Sequence, residues 1–203
     1  GTGVGSGFVS NGEMIYGHKD DKLYVILFIP SVLKWEGTLI EQQTRFPEEE
    51  GTTLVITPRK NGQRLALNVR IPEWLKRDDM RFTVNGNPEQ VVVEDGYATI
   101  NRAWQKGDKV HVSLPMQLHV MGLPDGSANY SIMYGPIVLG ASLGKQAQDG
   151  MYADDSRGGH IANGPRLPLQ NMPVIVGGKD EIVPRISKVA GQPLTFKLGG
   201  VYP

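Results

Sequence analysis

The stretch that decides the fold class is Arg64-Leu65-Ala66-Leu67-Asn68-Val69-Arg70-Ile71. Its larger aliphatic side chains recur at every second position, and Arg64, Asn68 and Arg70 occupy positions between them. Successive side chains of a strand point to opposite faces, so this period of two predicts a β-strand with one face in a core and the other in water. Half-buried strands of this kind are typical of antiparallel sheets.

The same alternation recurs further along the chain. Met80–Val84 and Lys109–Leu114 again carry apolar residues at every second position. Asp95-Gly96 separates two apolar runs, and both residue types accept the positive φ that a two-residue type I′ hairpin turn requires. About five strands, at spacings of roughly 8 to 12 residues, are expected between Leu54 and Leu114. The sequence therefore predicts an all-β fold, an antiparallel β-sandwich of the jelly-roll type.

The composition excludes several functional classes. The chain has 203 residues and no cysteine, which excludes disulfides, thiolate metal ligands and a cysteine nucleophile within it. Its 21 basic and 21 acidic side chains give a formal net charge of zero, which provides no electrostatic attraction to nucleic acid. The longest apolar run, Leu23–Ile29, is far shorter than the ~18 residues that a membrane span needs. We therefore expect neither a nucleic-acid partner nor a membrane span.

The run Leu23–Ile29 is apolar at every position rather than at alternate ones. A strand with this pattern is covered on both faces, whereas one face of a two-layer sandwich normally meets water. We therefore expect a cover for the second face, either a loop of this chain or another part of a longer protein.

The period of two disappears after Leu139. Residues 141–173 are rich in glycine and proline and have no repeating pattern, as in an irregular linker. Short strand candidates return at Pro173–Val176 and Leu194–Leu198. Two short strands cannot build a core of their own, so they predict an incomplete second β unit. The predicted domains are a β-sandwich over residues 1–140, then a Gly/Pro-rich linker and a partial second β module over residues 141–203.

The sequence contains no recognisable catalytic, cofactor-binding or metal-binding pattern. The glycine-rich start has Ser6 where a dinucleotide-binding loop needs its last glycine, the four histidines lack metal-ligand spacing, and the acidic pairs fall in predicted turns. Trp74 and Trp104 lie at strand ends, where they are expected to close a sandwich core. Trp35 is left as the candidate for stacking on a sugar ring.

A series of short motifs occurs in a fixed order along residues 1–140. It comprises Leu23-Tyr-Val-Ile-Leu-Phe-Ile-Pro-Ser31, Gln43-Thr-x-Phe-Pro47, Arg70-Ile-Pro-Glu-Trp74, Asn85-Gly86, Tyr97-Ala-Thr-Ile-Asn-Arg-Ala-Trp-Gln-Lys-Gly-Asp108, Leu114-Pro-Met116 and Tyr134-Gly-Pro-Ile-Val-Leu139. This ordered set resembles the C-terminal β region of the bacterial β-L-arabinofuranosidase superfamily, glycoside hydrolase families 127 and 146. Residues 154–165 are similar to the connector that leads to an extra β module in some members.

The resemblance implies where the chemistry of such an enzyme resides. In that family an N-terminal (α/α)6 barrel holds an acid/base glutamate, a zinc ion and a cysteine nucleophile. Gly1-Thr2-Gly3 is similar to the sequence that follows the family's cysteine pair. The resemblance therefore implies that this chain begins after the nucleophile and lacks the catalytic barrel. No catalytic or zinc position of the family maps onto a residue of this sequence.

The function implied by the resemblance is that of a non-catalytic β-sandwich, inactive alone and without a cofactor. It would support the barrel, and could mediate a homodimer, in a periplasmic or secreted bacterial enzyme that hydrolyses β-L-arabinofuranosyl linkages in plant-derived glycans. The apolar positions Leu23, Val25, Leu27 and Ile29 would then face the barrel. Two alternatives remain open: an autonomous carbohydrate-binding module, which needs a solvent-facing aromatic platform for a polysaccharide, and a structural sandwich domain without a sugar role.

Overall fold

The computed structural model describes residues 22–127, 129–141 and 177–200, together with the strands over residues 6–10 and 13–19. β-strands in antiparallel sheets dominate this part of the chain, which contains one short α-helix. The prediction of an all-β sandwich is therefore confirmed. In the described residues no helix is long and apolar enough to cross a membrane.

The first sheet has six strands in the order β1-β2-β3-β7-β11-β10. Their bounds are β1 Ser6–Ser10, β2 Glu13–Lys19, β3 Lys22–Val25, β7 Gln63–Arg70, β10 Val92–Glu94 and β11 Tyr97–Trp104. Every neighbouring pair is antiparallel except β3 and β7, which run parallel with Leu23 opposite Leu67 and Val25 opposite Val69.

The second sheet also has six strands, in the order β4-β5-β6-β12-β8-β9. Their bounds are β4 Ser31–Trp35, β5 Thr38–Gln43, β6 Gly51–Thr57, β8 Arg81–Val84, β9 Asn87–Pro88 and β12 Asp108–Ser113. All pairs in this sheet are antiparallel. The burial of β6 alternates strictly along the strand, as half-buried strands require.

The remaining elements form two smaller sheets. The bounds are β13 Leu118–Gly122, β14 Tyr130–Tyr134 and β15 Ile137–Val138 for one sheet, and β16 Ile186–Lys188 and β17 Phe196–Leu198 for the other, with α1 at Lys179–Ile182 and 3-10 turns at Arg77–Asp79 and Val183–Arg185. The strand candidate at 194–198 thus contains β17. The candidate at 173–176, residues 1–5 of the glycine-rich start and most of the predicted linker lie outside the described residues.

The chain divides into two compact units. The first comprises Gly1–His119 with Met133–Ile137, and the second comprises Val120–Ile132 with Val138–Pro203. The domain boundary at residue 140 stays a prediction.

The core of the first unit lies between the two six-stranded sheets. Trp104 is fully buried at the end of β11, and its indole N–H donates to the Leu65 carbonyl at 2.9 Å. Other apolar side chains that are almost completely buried include Leu23, Val25, Ile40, Leu54, Ile56, Leu67, Val69, Ile100 and Leu114. Both sheets contribute to this set, which defines a sandwich.

The outer face of β7 differs from the sequence prediction. Asn68, which was assigned to a water-facing position, is 4% exposed. Its amide group donates to the Leu23 carbonyl at 3.2 Å, and its amide oxygen accepts from the Thr99 hydroxyl at 2.7 Å. Tyr24, directly opposite Asn68, packs edge-to-face on Tyr97 at 5.1 Å. The assignment was wrong because hydrogen bonding replaces the water that a buried amide would otherwise need.

The apolar run after residue 22 also ends sooner than predicted. Strand β3 stops at Val25, four residues before Ile29. Its parallel partner β7 stops at Arg70, and Pro72 two residues later has no N–H with which to extend a ladder. Within β3, burial alternates rather than covering both faces.

Two-residue turns fix the register of three hairpins. Asp95-Gly96 joins β10 to β11 with φ values of 50° and 80°, as predicted for a type I′ turn. Asn85-Gly86 and Glu36-Gly37 have the same pair of positive φ values. At Gly135 the constraint is tighter, since φ is +54° and an added Cβ would lie 2.6 Å from the Met116 side chain.

We expect Gly135→Ala to lower the free energy of unfolding by more than about 2 kcal/mol, because it combines a left-handed backbone with a clash against Met116. Gly96→Ala is the matched control: φ is +80° but nothing lies within 4 Å of the added Cβ, so a loss of about 1 kcal/mol is expected. Urea unfolding measures both. Equal losses would mean that Met116 moves aside without cost.

Candidate functional site

A groove opens beyond the ends of β3 and β7 in the first unit. Its volume is about 460 Å³. The lining residues come from four separate segments: Ile26, Leu27, Phe28 and Ile29; Phe46 and Pro47; Arg70, Pro72, Glu73 and Trp74; and Pro136 and Ile137. Three of the four segments contain a proline, which cannot donate to a sheet ladder and so favours exposed chain at these strand ends.

An aromatic cluster forms the floor of the groove. Phe28 is buried and meets Phe46 edge-to-face at 5.8 Å. Phe46 in turn stacks on Trp74, with ring centroids 6.0 Å apart and an interplanar angle of 11°. Such pairs contribute about 0.5 to 1.5 kcal/mol each beyond the burial of their area. Phe46 and Trp74 are half-buried and pack against the core, so they link the groove to the interior.

Hydrogen bonds hold the loop that carries Phe46. The Thr44 hydroxyl accepts from the Phe46 amide at 2.9 Å and donates to the Gly51 carbonyl at 2.8 Å, so one side chain bridges both ends of the loop. The Tyr134 hydroxyl donates to the Glu50 carboxylate, and the Leu114 amide donates to the Glu50 carbonyl at 2.9 Å. The aromatic floor is therefore attached to a braced loop.

Two opposite charges lie among the apolar groups of the groove. Arg70 is half-buried and Glu73 is exposed. Neither side chain forms an ion pair or hydrogen bond with another described residue, whereas Arg45, Arg102 and Arg185 each pair with a glutamate. Arg70 and Glu73 are thus available to a molecule that enters the groove.

A second, smaller cleft is polar. It measures about 230 Å³ and is lined by Gln43, Thr44, Glu49, Glu50, Gly51, Thr52, Thr53 and His111. His111 is exposed, and its Nδ1 lies 3.2 Å from the Thr53 hydroxyl. The guanidinium of Arg45 hydrogen-bonds Glu49 and holds the pKa of that carboxyl below its ordinary value. The carboxylates of this cleft are therefore engaged within the chain rather than directed at one another.

The residues proposed from sequence fall in different environments. Leu23 and Val25 are completely buried in the core of the first unit, whereas Leu27 is half-buried in the groove and Ile29 is 36% exposed there. The apolar run therefore presents only its last part to the surface. Trp35 is half-buried and packs against the core cluster. Its role in sugar stacking and the interdomain role of the apolar run stay predictions.

Among the groove residues, the sequence singled out Leu27 and Ile29 but did not identify the others as part of a site. Phe46 and Pro136 belong to motifs quoted only for their resemblance to a family, and Trp74 was expected to close the core; the fold brings the three together. In the described residues no group of three or more histidine, aspartate or glutamate side chains is placed to hold a metal ion. These residues therefore do not fit a zinc site.

Comparison with known proteins relates this chain to glycoside hydrolases. Residues 22–116 match the family model of the GH127 β-L-arabinofuranosidase middle domain, and residues 119–203 match that of a domain of unknown function. No curated protein matches the sequence. Both matches follow the division of the chain closely, since the first unit consists mainly of residues up to 119.

Three solved structures are similar to this chain. One is a GH127 β-L-arabinofuranosidase from Geobacillus stearothermophilus T6, with 30% identity, a TM-score of 0.53 and coverage of 61% of this chain and 21% of that one. Another is a glycoside hydrolase with 26% identity, a TM-score of 0.52 and coverage of 61% and 22%. A GH127 β-arabinofuranosidase has 29% identity, a TM-score of 0.51 and coverage of 61% and 23%.

This chain therefore spans about a fifth of the length of the structures it matches. The sequence and structural matches together support a relationship of this chain to glycoside hydrolase family 127. The sequence-based assignment to that superfamily is confirmed at this level, while a C-terminal position and an absent barrel stay predictions.

Replacement of Arg45 tests the electrostatics of the loop beside the groove. We expect Arg45→Met to raise the pKa of Glu49 toward its ordinary value, because the Arg45 hydrogen bond is the largest cause of its depression. Carbon-detected NMR titration of the Glu49 carboxyl measures this change, with Arg59→Met as the control. An unchanged titration in Arg45→Met would contradict the pairing.

The pH dependence follows from the sign of that shift. Because the folded-state pKa of Glu49 is the lower one, the stability that the pair contributes is present above the ordinary pKa of a glutamate. It is lost as the pH falls through the folded-state pKa.

Proposed function

We propose that this chain is the non-catalytic β-sandwich part of a glycoside hydrolase whose complete form hydrolyses β-L-arabinofuranosyl linkages in plant-derived glycans. The observation that carries the proposal is the match of residues 22–116 to the GH127 middle domain. The similarity to a GH127 β-L-arabinofuranosidase at 30% identity supports the same class of linkage.

The chemistry of the described residues supports a non-catalytic role. A glycosidase needs two carboxyl groups about 5 to 9.5 Å apart on either side of the scissile bond. The larger groove is lined by one carboxylate, Glu73, and the smaller cleft has Glu49 and Glu50 bound to Arg45 and Tyr134. We therefore assign the hydrolytic step to a separate (α/α)6 barrel, N-terminal to the sandwich in the parent protein.

The zinc and the cysteine nucleophile expected for such an enzyme belong to that barrel in our proposal. We assign no metal-dependent step to the described residues, which do not fit a zinc site. The sandwich supports the barrel mechanically, and homodimerisation through it is a further part of the proposal. Because plant polysaccharides reach a bacterium from outside, we place the enzyme in the periplasm or outside the cell.

This assignment is tested by comparing the glycosidase activity of the 203-residue chain with that of the complete protein. The 203-residue chain should not hydrolyse an aryl β-L-arabinofuranoside, and the product of the complete open reading frame should hydrolyse it. Alkylation of cysteine should abolish the activity of the longer protein, because the sandwich has no cysteine of its own to react.

A turnover by the 203-residue chain itself would contradict the assignment of the chemistry to another domain. Activity of the longer protein that survives complete alkylation would contradict a cysteine nucleophile. A longer protein that cleaves only other glycosides would overturn the proposed linkage and leave the role of the sandwich in place.

A further inference from the structure

The groove beside the aromatic floor is an apolar surface that meets solvent. Ile29 is 36% exposed, and Leu27, Phe46, Trp74 and Ile137 are half-buried around it. Contiguous apolar surface of this kind, bordered by polar side chains, marks an interaction site in soluble proteins. The question is therefore which molecule fits it.

The walls of the groove are pre-organised. Pro47, Pro72 and Pro136 restrict the backbone, Trp74 stacks on Phe46, and Thr44 braces the loop between them. Little conformational entropy is lost when a partner binds to a surface that is already ordered. The groove is thus suited to stable binding of an apolar segment whose surface is complementary to it.

The charges add a requirement for the occupant. Arg70 and Glu73 line the groove without a partner among the described residues. An occupant that covered both without compensation would bury unpaired charges, which is costly. A complementary segment therefore carries an acidic group opposite Arg70 and a basic group opposite Glu73.

The similar structures indicate where such a segment resides. The matched part is 21 to 23% of each of those chains, so most of each relative lies outside it. We propose that the groove receives an apolar segment from the remainder of the same polypeptide, which packs on Ile29, Phe46 and Trp74. This proposal rests on the proposed function. In it, Ile29, Phe46 and Trp74 form the interdomain contact, whereas Leu23 and Val25, which the sequence had suggested for that contact, lie buried in the core.

A glycan fits the groove less well. The hydroxyl groups of a sugar need many hydrogen-bonding partners, and the lining offers two charged side chains among ten apolar residues. The side chains of Ile29 and Leu27 cannot form hydrogen bonds with sugar hydroxyl groups. The observations thus favour a protein segment, and glycan binding becomes an outcome that the experiment can detect.

The experiment compares two variants in two protein lengths. Ile29→Asp places a charge in the groove, and Val92→Asp places the same charge on an edge strand elsewhere, at a side chain that is 69% exposed. Each variant is made in the 203-residue chain and in the product of the complete open reading frame. Thermal unfolding of all four proteins is compared with that of the two parents.

We expect Ile29→Asp to lower the Tm of the longer protein by at least about 4 °C more than that of the 203-residue chain. Val92→Asp should lower both by the same amount, since intrinsic effects of the substitution cancel in this comparison. Amide hydrogen exchange over residues 26–29 and 70–74 should also be slower in the longer protein, because the segment covers them.

Equal effects of Ile29→Asp in both lengths, with unchanged hydrogen exchange, would overturn the proposal. Slower hydrogen exchange of the groove residues when arabino-oligosaccharides are added to the 203-residue chain would also overturn it, and would identify a glycan as the ligand of the groove. None of these results depends on hydrolysis, so failure here is distinguishable from loss of the proposed arabinofuranosidase activity.

Discussion

Strand β7 lies between β3 and β11, and side chains on both of its faces are buried. On the inner face Leu67 and Val69 are completely excluded from solvent, and the Leu65 carbonyl accepts the indole N–H of the buried Trp104. On the outer face Asn68 joins β3 to β11 through hydrogen bonds to Leu23 and Thr99. A slip of one residue would move this amide into the core and its apolar neighbours to the other face, so Asn68 fixes the register. The position of the groove follows, because the groove begins where β3 and β7 end.

Much of this fold could be predicted from the sequence because its strands are amphipathic and its turns are local. The alternation along residues 64–71 predicts a half-buried strand without knowledge of its neighbours, and Asp95-Gly96 specifies a hairpin by its own backbone preference. The turn at Glu36-Gly37 was not predicted because glutamate seldom adopts a positive φ of 49°. The burial of Asn68 was missed for a different reason: its partners Leu23 and Thr99 lie more than 30 residues away on either side.

The groove could not be predicted in the same way, because its residues come from several segments that are distant in sequence. Its residues come from positions 26–29, 46–47, 70–74 and 136–137, and their proximity depends on both sheets. The apolar run at 23–29 predicted a surface that needs a cover, but periodicity could not reveal that β3 ends at Val25. Leu23 and Val25 consequently belong to the core of the first unit, and the residues after them belong to the groove.

The parallel pairing of β3 with β7 has a consequence for the order in which the chain is made. Residues 26–62 intervene between the two strands, and they contain β4, β5 and β6 of the other sheet. During synthesis β3 can pair with β2, which precedes it, but its other neighbour β7 follows only after those three strands. Contacts between such distant segments carry a larger loop-closure cost than a hairpin such as β10-β11, and they form more slowly. Until β7 has been made, the side of β3 that later pairs with it is an open strand edge, at which incorrect pairing can occur.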